Sequence, residues 1–147
     1  MSDIHIDDFF RDAAIALNRL YLSFPRPIAL YVEDIIGPDQ QDEFGLHSTR
    51  HMACFATLLW LAEERHFRFA DTIRQDAVDQ AVLSARTFTL LSTADPLNDG
   101  PDLDALPAAL RFEHASSVQR IREALRSQSS SRIRAIMTNL LRRATSI

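Results

Sequence analysis

Apolar residues recur at helical spacing over the first stretch of the chain, where Phe10, Ala13, Leu17, Leu20, Tyr21 and Phe24 share a face. Asp7 or Asp8 stands where a helix cap is needed. Pro25 and Pro27 end that helix, because each lacks an N–H and restrains the residue before it. The segment from Ile28 to Ile36 fits two periods: Ile28, Leu30 and Val32 alternate, whereas Ile28, Val32, Ile35 and Ile36 recur helically. A short strand followed by a short helix satisfies both. Residues 37–47 are polar and acidic, with a turn at Gly45. A helix is then predicted from about Ser48, its cap, to Arg65. Its second half, Phe55 to Ala62, is apolar on nearly every side, which predicts a central helix with Trp60 mostly buried.

Beyond that helix, His66-Phe67-Arg68-Phe69-Ala70 alternates like a half-buried strand. Residues 71–80 have turn and loop character, and Ala81-Val82-Leu83 reads as a returning strand. Ser84 is placed to cap a helix holding Phe88, Leu90 and Leu91. Residues 93–102 are dense in helix breakers and read as a linker. Two helices are expected after it. The first, at about 103–127, carries Leu106, Leu110, Val118, Ile121 and Leu125. The second follows a Ser129-Ser130-Ser131 loop and aligns Ile133, Ile136, Met137, Leu140 and Leu141 as one stripe. Such a stripe has to be covered, either by its own domain or by a second copy, and a homodimer through this helix is the expected arrangement.

Composition narrows the class. With 46% hydrophobic and 24% charged residues, the chain has the balance of a folded globular domain, which excludes wholesale disorder. Three glycines disfavour a loop-rich β fold. Asp3, Asp7, Asp8 and Asp12 interrupt the first apolar residues, and no apolar run approaches the roughly 20 residues of a membrane span. One cysteine, Cys54, cannot pair internally, which suits a reducing compartment, and the expected location is the cytoplasm. Every basic residue is arginine. Residues 1–60 hold nine acids against four arginines and residues 104–147 hold eight arginines against three acids, so the ends carry opposite charge.

The order helix, strand, loop, strand, helix over residues 48–92 resembles the second half of a winged-helix domain, with the likeness extending over about 8–92. Leu83-Ser84-Ala85-Arg86-Thr87-Phe88-Thr89-Leu90-Leu91 is similar to the strand-to-helix junction L-T-x-K-G-x-x-L-L that follows the wing in many bacterial regulators, and Leu61 to Phe67 is similar to the end of a recognition helix. The resemblance implies a mainly α fold: a winged-helix-like domain with a small β wing at about 7–92, then a C-terminal helical extension at 103–147. It also implies a small, non-enzymatic DNA-associated or regulatory protein, with Arg50, His51, Thr57 and Arg74 as the candidates for duplex contact. Phosphate contact requires a basic surface, yet residues 71–80 hold three aspartates against one arginine. The alternative is therefore an acidic winged-helix module that docks another protein and does not touch DNA.

Chemistry-bearing patterns are sparse. His47, His51 and Cys54 fall at i, i+4 and i+7 on one helical face, a ligand set zinc accepts, but no fourth ligand or second cluster accompanies them, and the expectation is that no metal is bound. There is no G-x-S-x-G, phosphate-cradling glycine loop or H-E-x-x-H, so neither an enzyme nor a cofactor is expected.

Overall fold

A computed structural model describes residues 3–94 and 116–145. It is mainly helical, with a small antiparallel sheet. Helix α1 spans Ile4–Ser23 and buries Ala13, Ala14, Ala16, Leu17 and Leu20. It begins before the expected caps, with Asp3 at the N-cap and no side-chain cap bond. The double periodicity after Pro27 resolves into both elements, strand β1 (Ile28–Tyr31) and helix α2 (Val32–Ile36). Gly37 closes α2 at φ 89°, where a side chain is disfavoured. Helix α3 runs Thr49–Glu63, and the Ser48 hydroxyl accepts the His51 N–H at its start. At its end Arg65 takes the left-handed conformation usually left to glycine, at φ 66°. The Arg65 and His66 N–H groups then bond the Ala62 and Leu61 carbonyls.

Strands β2 (Phe67–Arg68) and β3 (Asp71–Ile73) pair with successive stretches of β4 (Ala77–Leu83), Phe67 opposite Leu83 and Ile73 opposite Ala77. Strand β1 pairs along the other edge of β4, which makes β4 the centre of the sheet. Residues 71–80, expected as loop, are thus mostly strand. The alternation that marks a strand is broken there because β4 bulges. Its register against β1 jumps between Leu30–Val78 and Ile28–Ala81, with Gln80 at φ 56° as the extra residue. Helix α4 (Ala85–Ser92) starts at Ser84, whose hydroxyl accepts the Thr87 N–H.

Helices α5 (Ser117–Ser127) and α6 (Ser130–Thr145) follow, separated at Gln128, which is left-handed at φ 55°. The break therefore falls at Gln128 and Ser129, and Ser130 and Ser131 already belong to α6. Both helices pack against α1 and α4. Ile133, Ile136, Met137 and Leu140 join Leu17, Leu58 and Leu91 in one apolar core, with Leu141 half-buried. The stripe expected at a dimer interface is thus covered within one chain. Leu106, Leu110 and most of the 93–102 linker lie outside the described residues. Among the described residues, no helix is long and apolar enough to cross a membrane.

Candidate functional site

The inward face of α3 is set by His51, Cys54, Phe55, Leu58 and Leu61, a spacing that repeats every turn or two. That places Ala53, Ala56, Trp60 and Glu64 outside. Trp60 is 41% exposed, against the expectation of burial, and packs edge-on against Phe9 at 5.3 Å. A helix apolar on all sides leaves its own rotation undetermined by sequence.

Of the four residues expected to contact duplex DNA, two are inside. His51 is 0% exposed, and its Nε2 lies 2.7 Å from the Gln75 carbonyl oxygen. Thr57 is buried and donates its hydroxyl to the Ala53 carbonyl one turn back. Arg50 stands at the surface but forks onto Asp12, Nη1 to Oδ2 at 2.7 Å and Nη2 to Oδ1 at 2.6 Å, with Asp8 3.5 Å from its Nε. Asp12 raises the Arg50 pKa and consumes its planar fork. Only Arg74 is exposed, at the turn between β3 and β4. The four do not form a surface. Asp12 is the partner sequence reading missed: its position within the apolar face of α1 marks it as buried and in need of a cation.

The polar group at the start of α3 is more elaborate. The loop before the helix brings Asp39 beneath Ser48, which donates its hydroxyl to Oδ1 at 2.6 Å and its N–H to Oδ2 at 3.2 Å. The Ser48 hydroxyl bond is the main cause that holds the Asp39 pKa down to about 2, against an opposing desolvation, with His47 and the Ser48 N–H adding to it. His47 Nδ1 is 2.7 Å from Asp39 Oδ2, and its Nε2 is 3.0 Å from Asp76 Oδ1 at the β3–β4 turn. The His47 and His51 rings stack at 3.7 Å and 2°. Candidate ligand atoms of Asp39, His47 and His51 all lie within 4.8 Å of one another. Two members of the expected His47, His51 and Cys54 set are therefore brought together, and the third is replaced. Cys54 points into the core, where burial pushes its thiol up to about 12. Asp39 went unrecognised because it reaches the histidines across a loop rather than along a helix.

A third polar group closes the far end of α3. His66 is buried, its Nδ1 lies 3.1 Å from the Thr87 hydroxyl, and burial with the nearby Arg86 charge lowers its pKa to about 4. Arg86 donates to the carbonyls of Glu64 at 2.6 Å and Ala144 at 3.2 Å, capping the ends of α3 and α6 together. Beside this end lies a groove of about 440 Å³ lined by Leu59, Ala62, Phe67 and Phe69, with Glu63, Arg65 and Arg68 at its rim.

No protein-family model matches the chain, and no curated protein or solved structure matches it either.

Proposed function

We propose that this chain is a non-enzymatic, cytoplasmic winged-helix-like module that docks another protein and does not read duplex DNA through α3. The order α1, β1, α2, α3, then three strands and α4, with β4 between β1 and the β2–β3 edge, supports the winged-helix reading. Residues 37–48 separate α2 from α3, far more than the tight turn of a DNA-reading helix–turn–helix. The observation that carries the reading is the Arg50–Asp12 fork: the cation of the candidate recognition helix is already neutralised by a buried carboxylate. His51 and Thr57 beside it face inward. The groove between α3 and β2 fits one bulky apolar side chain of a protein partner, since its floor is apolar and its rim charged. A dimer through α6 is not part of this reading, because the stripe is already inside.

Two experiments test it. Labelled duplex at the lowest workable ionic strength should give no complex, and binding that weakens steeply with salt and with Arg74→Ala would contradict the proposal. Peptides selected from a random library against the immobilised protein should carry an apolar anchor and lose binding to Ala62→Arg, which fills the groove with charge.

A further inference from the structure

We propose that the groove at the far end of α3 receives Phe44 of a second copy of this chain, in a two-fold dimer that pairs the two α3 helices antiparallel. The inference rests on the reading of that groove as a docking site and names its occupant. Phe44 is the most exposed large apolar side chain among the described residues, at 78%, and Leu46 beside it is 63% exposed. The loop that displays them is tied down. The Asp42 carboxylate accepts the N–H groups of both Phe44 and Leu46 at 2.9 Å, and the Asp42 N–H bonds the Leu46 carbonyl at 3.0 Å. Gly45 supplies the left-handed step between them, at φ 76°. A loop already fixed gives up little freedom when its side chain is captured.

The loop and the groove stand at opposite ends of one helix. Ala56 is the middle residue of the 15 in α3 and faces water. It lies on a stripe with the half-buried Met52 and Leu59, at i, i+4 and i+7, where a surface helix ordinarily carries polar side chains. Ser48, which joins the Phe44 loop to α3, is about 12 Å along the axis from Ala56, and Ala62 in the groove wall is about 9 Å the other way. A two-fold axis at Ala56 therefore carries each loop toward the groove of the other copy, and every contact is made twice. The small Ala56 side chain allows the helices to approach within about 8 Å. Charge agrees with this pairing. Asp42 and Glu43 precede Phe44, whereas Arg65 and Arg68 at the groove rim are exposed and in no ion pair among the described residues. Glu63 is the one acid in the groove lining, so the rim stays net positive toward the acidic loop. Shape, spacing and charge for both halves of the contact come from the same chain, which favours a second copy over an unrelated protein.

Sedimentation equilibrium on the full chain, from micromolar to near-millimolar concentration, should show a monomer–dimer equilibrium, with circular dichroism following the fold of each variant. Phe44→Ala, which removes only an exposed side chain, should weaken association at least about tenfold, as should Ala62→Arg, which fills the groove. Arg68→Glu should weaken it by less, and takes the place of Ala62→Arg if that chain does not fold. Mixed together, the Phe44→Ala and groove variants should associate more tightly than either alone, since one keeps the groove and the other keeps Phe44. A full chain that stays monomeric throughout overturns the proposal, as does a dimer indifferent to Phe44→Ala or a mixture no tighter than its parts. A monomer whose groove still captures apolar-anchor peptides overturns the second copy alone and leaves the docking reading standing, whereas a monomer that captures none overturns both.

Discussion

The two ends of α3 each hold buried histidine, and they are built on opposite principles. At the far end His66 has one partner, the Thr87 hydroxyl, which can donate or accept as the ring requires. Burial keeps that ring neutral and the pair is closed. At the near end His47 lies between two carboxylates, Asp39 at 2.7 Å and Asp76 at 3.0 Å, and stacks on His51. The lesson is that burial alone does not mark a functional histidine. Hydroxyls satisfy a ring in either protonation state, whereas a carboxylate only accepts and holds a ring through its N–H. The same end of α3 carries Arg50 on Asp12, so its polar residues are committed inward, which is the basis for arguing against base readout.

The largest expected effect strips the near end of its arginine. Arg50→Ala leaves the Asp12 carboxylate, 1% exposed, without its partner, and should destabilise the fold by about 3 kcal/mol in urea unfolding. That value sits at the low end of the range because Arg50 itself is one-third exposed to water. A loss under about 0.5 kcal/mol, typical of a free surface side chain, would return Arg50 to the list of possible phosphate contacts.

The second effect separates the two ends by pH. His66 has a folded pKa of about 4, below its ordinary 6.5. Between those values the unfolded chain binds a proton that the folded chain does not. The His66 contribution is therefore whole above about pH 6.5 and declines as pH falls toward 4, by about 3 kcal/mol. His66→Gln, which keeps a neutral partner for Thr87, should flatten that part of the profile. Asp39, depressed to about 2, acts only below its ordinary 3.8, outside this window. An unchanged slope in His66→Gln would place the acid sensitivity at the near end instead.

Much of this architecture was legible, and the gaps have physical causes. Ser48 and Ser84 were readable as caps because a cap is a local event, decided within three residues. The strand–helix choice at 28–36 was readable once both periods were allowed to be true. What could not be read were contacts decided by long-range geometry. Asp12 and Arg50 lie 38 positions apart, and nothing in either neighbourhood names the other. The Gln80 bulge hid the first half of β4 by breaking its alternation. The metal-capable set was read along one helix face, which yielded Cys54, whereas the loop supplied Asp39.

The smallest effect lies at the helix end, where Arg65 occupies a left-handed position at φ 66°. Arg65→Gly should raise stability by up to about 1 kcal/mol, since the side chain is exposed and its Cβ is strained. A loss would mean that Arg65 makes an interaction at the groove rim that outweighs the strain.

The claim that α3 does not read duplex DNA is tested most directly by titrating labelled duplex into the full chain at the lowest workable ionic strength. The account predicts no complex, because Arg50 is held by Asp12 and both His51 and Thr57 face inward. Binding that weakens steeply with salt would contradict it.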